Sequence, residues 1–180
     1  PDDRAAVTDA LTAAAARCDA LTTSGGMSQG EEDHIAAAIA EAGGALAFWR
    51  MAVKPGRPVA LGRIGECAVI GLPGNPTAAI VMFLIFGKPM LARLAGETPR
   101  APLGFPLPAD FEMKKKTGRR EYLRVRVVEG ADGPRVVRAG REGSGILTTL
   151  TNADGLWSAP EDWSAVAPGD IGLFRPFPEL

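Results

Sequence analysis

At 180 residues the chain can bury one large core or two small ones, and 46% of its side chains are apolar. Twenty lysines and arginines against 21 aspartates and glutamates leave a formal charge of −1, which excludes the basic excess of a nucleic-acid-binding domain and favours a small-molecule partner. Cys18 and Cys67 are too sparse for a disulfide scaffold or a zinc site, so they predict a reducing, cytoplasmic setting.

Residues 3–17 place Val7, Ala10, Leu11 and Ala14 on one stripe of a helix capped by Asp2 or Asp3. No signal segment precedes it, and the start at Pro1 suggests a removed methionine or a missing upstream part. DALTTS (19–24) predicts a strand, GGMSQG a loop, and EEDHIAAAIAEAG a second helix ending at Gly43 or Gly44. ALAFWRMAV (45–53) predicts a strand before the breaker-rich loop KPGRP, and VALGRI and CAVIGL flank a Gly-Glu turn as a hairpin or neighbouring strands. TAAIVMFLIFGKPMLARLAG predicts a long helix, kinked near Gly87 and Pro89. Its longest apolar run, nine residues over 78–86, is about half a bilayer span, so it predicts a buried helix and no membrane partner. Alternating strands and helices predict an α/β class fold, a layered sandwich with a mostly parallel sheet, over residues 1–98.

Prolines 99, 102, 106 and 108 then predict a linker over 99–109. Beyond it, REYLRVRVVEG, PRVVRAG, LWSAP and DIGLFRPF are short strands of a small all-β, barrel-like domain over 110–180. Leu123, Val125 and Val127 alternate with Tyr122, Arg124 and Arg126 in the first of these.

Three loops follow predicted strands in the first domain, and strand ends are where open α/β sheets bind ligands. In SGGMSQGEED, Gly25, Gly26 and Gly30 let backbone N–H groups approach an anion, and Ser24 and Ser28 add hydroxyls. Glu31, Glu32 and Asp33 either serve the helix dipole or supply a carboxylate to Mg2+; Asp33 is one metal candidate and Asp2 another. In KPGRP, Lys54 and Arg57 flank Pro55 and Gly56 as two cations that can clamp an oxyanion, and Arg50 is a solvated charge or a third. In GLPGNP, Gly71, Pro73 and Gly74 make a tight turn, and Asn75 and Pro76 are the cap and first residue of a helix. KKKTGRREYLR is either a set of solvated strand ends or an anion site, and Ser144 sits between two glycines. His34 finds no partners for a catalytic triad, and Trp49, Trp157 and Trp163 read as packing.

SGGMSQGEEDHI, FWRMAVKPGRP and GLPGNPTAAIVMF occur in this order, followed by GRREYLRVRV, GSGILTTL, ADGL and PGD. Together they resemble the C-terminal part of the molybdopterin molybdenumtransferases, the MoeA family to which the gephyrin E domain also belongs, over essentially the whole chain. The resemblance implies insertion of molybdenum from molybdate into adenylylated molybdopterin with release of AMP and a requirement for Mg2+. It places the metal-linked acids at Asp33 and Asp2. It places pterin and molybdate contacts at Lys54, Arg57 and Pro58, with Arg119 and Ser144 near the oxyanion. A homodimer is implied too. Ala78 stands where family members often have Ser, and Arg50 where they have Lys. Members are roughly twice as long, which implies missing upstream domains and a chain that binds poorly and turns over little alone. The other readings are a gephyrin-like scaffold module and a molybdopterin adenylyltransferase, the latter disfavoured by the appended β domain.

Overall fold

A computed structural model describes residues 3–26, 34–98, 100–140 and 147–180; the side chains of Phe48 and Trp49 also lie outside the described set. The chain forms two compact units, Pro1–Met51 with Gly56–Pro99, and Ala52–Pro55 with Arg100–Leu180. The boundary therefore differs from the expected one: residues 52–55 belong to the second unit.

The first unit opens with α1 (Arg4–Ala15), whose first turn is capped by Asp3 accepting the Ala5 N–H at 3.0 Å. Leu11 is buried, and Val7 and Ala15 pack beside it; Ala10, expected on the stripe, is exposed. Strand β1 (Ala20–Ser24) leads toward α2 (Ile35–Glu41). That helix ends at Gly43, whose φ is +75°, with the Gly43 N–H on Ala40 O and the Gly44 N–H on Ile39 O. This double closure is a Schellman motif, and it needs the left-handed conformation that glycine adopts freely. Strand β2 (Ala45–Trp49) stops at Arg50, whose φ is +101°, so the expected strand through 53 is broken there. The chain pairs again only as β3 (Val53–Lys54), and this short strand belongs to the second unit.

Strands β4 (Ala60–Ile64) and β5 (Cys67–Leu72) form the expected hairpin around Gly65 and Glu66. The sheet order is β1-β5-β4-β2. β5 pairs parallel with β1 and antiparallel with β4, and β2 is antiparallel to β4. Three strands thus share one direction and β4 alone opposes them. One face packs on α1 and α2 through Leu11, Ala38, Ile39, Ile64 and Val69. Ile70 and Leu72 point to the other face and are buried as well, so both faces are covered.

Helix α3 (Pro76–Met82) continues through a wide π-type turn, Phe83–Gly87, into α4 (Lys88–Leu94). Pro89 lacks an N–H and its ring would strike the carbonyl four residues before it; the widened turn absorbs that conflict without breaking the helix. The helix of 19 residues is long and apolar enough to cross a membrane, which corrects the length argument from the shorter apolar run. Thr77, Ala78, Ala79, Val81 and Met82 are nevertheless buried within the chain's own core.

In the second unit β6 (Phe105–Pro108) occupies part of the expected linker. It lies at a sheet edge beside β12 (Ile171–Pro176), where Pro106 and Pro108 cost no ladder bond. The other strands are β7 (Met113–Lys114), β8 (Arg120–Gly130), β9 (Gly133–Arg138), β10 (Gly155–Ala159) and β11 (Ala165–Val166), with a single helical turn, α5 (Thr148–Thr151). The main sheet runs β3-β8-β10-β12-β6, and β9 pairs with β8. Ala109, directly after β6, bridges to Val136 of β9, and the Asp110 N–H donates to Val136 O at 2.8 Å. These contacts curl the sheet into a barrel-like shape while β6 itself remains an edge strand. Leu123, Val125, Val136, Trp157 and Phe174 fill it.

Trp157 is fully buried, meets Phe111 edge-on at 5.7 Å between centroids, and donates its indole N–H to Leu107 O at 2.9 Å. Trp157→Ala removes this filling and the indole's hydrogen bond to the Leu107 carbonyl, so it is expected to cost about 3–5 kcal/mol. Urea denaturation followed by circular dichroism measures the loss.

Candidate functional site

Parallel pairing of β1 with β5 sets Ser24 opposite Leu72 and Thr23 opposite Gly71, so the loops that follow the two strands leave one sheet edge together. The Gly25 N–H donates to Leu72 O at 3.1 Å, and the Ser24 hydroxyl donates to Pro73 O at 3.4 Å. Gly25 has φ +87°, and a Cβ added at Gly74 would lie 3.3 Å from its Cα. The two backbones touch because neither carries a side chain. Gly26, at φ +66°, leaves no room for a Cβ, which would fall 2.5 Å from Ile35 Cγ1.

Asn75 caps α3 as expected, its side-chain oxygen accepting the Ala78 N–H at 3.0 Å, and Pro76 follows at the first helical position. Thr77 Oγ1, in the same turn, is buried with no hydrogen-bond partner. Ala78 is buried, so this position offers no hydroxyl. Gly56, at φ +98°, lies against the same turn: a Cβ there would meet Met82 Cγ at 2.3 Å and Pro73 Cγ at 3.4 Å. All three loops therefore meet within the first unit.

The loop 50–59 is closed by the Arg50 N–H on Val59 O and the Met51 N–H on Arg57 O, at 3.1 and 3.0 Å. Arg57 is exposed and Pro58 half-buried, after a cis Lys54–Pro55 bond. Arg50 holds a backbone conformation that a bulky residue rarely takes, the kind of strain found at binding sites.

Lys54 and Arg119 meet in the second unit through a residue that sequence reasoning passed over. Parallel pairing of β3 with β8 sets Lys54 opposite Glu121. Glu121 is fully buried, yet its carboxylate is shared by two cations. Arg119 reaches Oε1 through Nη2 at 2.9 Å and Nε at 3.0 Å, and Lys54 Nζ lies 3.1 Å from Oε2. The lysine contact is an ion pair whose angles fall outside hydrogen-bond geometry, so Oε2 lacks a formal donor. The available signal was parity: Glu121 shares its strand face with Leu123 and Val125 and is the only acid in a basic stretch.

Lys114 and Lys116 of that stretch and Arg126 just beyond it are exposed, as solvated strand ends would be, whereas Lys115, Arg120 and Arg124 are tied into the fold. Lys115 is buried and donates to Pro160 O and Trp163 O at 2.6 and 2.9 Å. Arg120 forks onto Glu161 at 2.9 and 3.0 Å. That hydrogen-bonded pair holds the Glu161 carboxyl below its ordinary range and raises Arg120. Arg124 donates to Thr149 Oγ1 at 2.8 Å; burial, then the neighbouring Arg138, lowers its pKa.

Asp2, Ser28, Gly30, Asp33 and Ser144 lie outside the described residues, as do Glu31 and Glu32. Among the described residues no group of three or more His, Cys, Asp or Glu is placed to hold a metal.

The family described as "Probable molybdopterin binding domain" matches residues 1–93, and "MoeA C-terminal region (domain IV)" matches 106–172. Molybdopterin molybdenumtransferase of Haemophilus influenzae is 32% identical over 100% of this chain and 45% of its own length. Molybdopterin molybdenumtransferase 2 of Mycobacterium tuberculosis is 31% identical over 93% of this chain and 42% of its own. The chain thus spans less than half of these curated relatives. The crystal structure of the molybdopterin biosynthesis moea protein from Pyrococcus horikosii aligns with TM-score 0.77 at 27% identity, covering 98% of this chain and 41% of that one. With the glycine loops meeting at one sheet edge and both domains matched in order, the chain belongs to the probable molybdopterin-binding domain family, and its C-terminal region matches that of the MoeA proteins.

Proposed function

We propose that the chain acts in molybdenum cofactor biosynthesis as part of a molybdopterin molybdenumtransferase, which inserts molybdenum from molybdate into adenylylated molybdopterin and releases AMP. The meeting of three loops in the first unit, Gly25 on Gly74 and Gly56 on Pro73 and Met82, carries the reading. Such a surface lets a ligand approach the backbone closely without meeting Cβ atoms, which suits the phosphates of a nucleotide-linked pterin. Lys54 and Arg119, both held by Glu121, are the donors for molybdate, a planar fork and a point charge oriented by one carboxylate. Arg57, exposed beside Pro58, is a cation of the first unit's own loop. The second unit matches the MoeA C-terminal region, which favours this reading over an adenylyltransferase.

The described residues alone do not make a Mg2+ cage. The assignment of Mg2+ rests on Asp33 with Asp2, since the ion keeps several waters and takes only one or two carboxylates beside substrate phosphates. The near-balanced charge supports a small-molecule substrate and no nucleic acid or membrane partner. A cytoplasmic homodimer completes the proposal; exposed Ile80 on the long helix offers apolar area to a second copy.

The test is isothermal titration of adenylylated molybdopterin, with Mg2+ and molybdate, into the chain and into Lys54→Ala and Asp33→Asn. Loss of one charge-assisted contact is expected to weaken binding by about tenfold or more. Equal heats in all three proteins would remove the site.

A further inference from the structure

Cys18 and Cys67 are far apart in sequence, yet the fold brings their Sγ atoms to 3.7 Å across 49 residues. Cys18 follows α1 and is exposed, its thiol donating to Ala14 O at 3.1 Å. Cys67 opens β5 and is 2% exposed, its thiol directed to Ala68 O at 3.6 Å. The glycine loops follow the other end of β5, after Leu72, so the thiols play no part in the proposed ligand site. Cys18 borders an open groove of about 480 Å³ that also carries Arg17, Asp19, Leu91 and Leu94.

We propose that Cys18 and Cys67 are a thiol–disulfide modification site, in which Cys18 takes up a low-molecular-weight disulfide from the groove and Cys67 resolves it. In the first step the Cys18 thiolate attacks one sulfur of the reagent; a Cys18 mixed disulfide forms and one reagent thiolate leaves. In the second, the Cys67 thiolate attacks Cys18 Sγ, the Cys18–reagent bond breaks, and a second reagent thiolate leaves. Two protein thiols are oxidised, two reagent thiols are formed, and the protons pass from one pair to the other. Closure shortens the sulfur separation by about 1.7 Å to the disulfide distance. Rotation of the exposed Cys18 side chain, in the turn after α1, supplies that movement. Arg17 gives the groove a cation for the carboxylates of such a reagent, and Leu91 and Leu94 give it an apolar wall.

Burial first, then the hydrogen bond and charge of Cys18 and the charge of Asp19, push the Cys67 thiol up to about 11. Burial and Asp19 persist once Cys18 is in the mixed disulfide, so the resolving thiol stays mostly protonated at neutral pH and the second step speeds up as the pH rises.

The experiment treats the reduced chain with glutathione disulfide at pH 7 and pH 9, followed by intact mass, free-thiol counts and a non-reducing gel. The wild type is expected to pass through an adduct of one glutathione to a monomer about 2 Da lighter than the reduced chain, faster at pH 9. Cys67→Ala stops at the adduct, and Cys67→Ser serves if that variant is unstable. Cys18→Ser stays unmodified while folded. The oxidised wild type melts several degrees higher, because the bond closes a long loop, and the reductant reverses this. A persistent adduct at pH 9, disulfide-linked dimers as the main product, or ready modification of folded Cys18→Ser would each overturn the proposal.

Discussion

Replacing Lys54 and Arg119 together by methionine is expected to lower the free energy of unfolding by about 3 kcal/mol, whereas Glu121→Gln alone lowers it by about 1 kcal/mol. The asymmetry follows from where the charges sit. Glu121 has 1% side-chain exposure, while Lys54 and Arg119 keep 42% and 34%. Removing both cations leaves a buried carboxylate without a counter-charge; removing the carboxylate leaves two cations that water still reaches. Screening of those half-exposed partners holds the larger effect to the low end for a buried pair. The triple variant, with Gln at Glu121 as well, is expected to recover most of the loss. Urea melts of the four proteins decide it, and an equal cost for Glu121→Gln and the double variant would show that the cluster is not organised around the buried acid. Molybdate binding separates structure from function. The double variant loses it, and Glu121→Gln weakens it by about tenfold, because the charges remain but their shared anchor is gone.

Alternation along β8 was legible in part: Leu123 and Val125 face the packed interior, but Tyr122, expected on the other face, is buried as well. The same alternation pointed at Glu121, but a carboxylate on an apolar face has meaning only once its partners are placed, and Lys54 arrives from a strand more than sixty residues earlier. The two-residue β3 is too short to carry a period at all. Strand β6 was hidden for a different reason: Pro106 and Pro108 read as linker punctuation, and only its edge position makes them compatible with pairing. The hairpin and the Asn75 cap were readable because each is decided within a few residues. The approach of Gly25 to Gly74 depended on parallel pairing between strands about fifty residues apart, which loop composition suggested without fixing. Cys18 and Cys67 failed for the same reason: their separation in sequence hid a 3.7 Å contact.

Gly56→Ala is expected to cost about 2–4 kcal/mol and to weaken binding of adenylylated molybdopterin by tenfold or more. Two penalties combine there. The backbone stands at φ +98°, where an alanine is strained, and the added Cβ would lie 2.3 Å from Met82 Cγ and 2.9 Å from its Sδ. Met82 is fully buried, so it has no free space into which to withdraw. Gly65→Ala isolates the first penalty: its φ is +56° and nothing lies within 4 Å of its added Cβ. That control is expected to cost about 1 kcal/mol and to leave ligand binding unchanged, because the turn between β4 and β5 lies away from the three loops. Thermal melts give the stability difference, and titration calorimetry gives the affinity. If the two alanine variants lose equal stability, close packing of Gly56 on Met82 and Pro73 is not what holds the loop. If Gly56→Ala binds ligand as the wild type does, the meeting of the three loops does not form the binding surface.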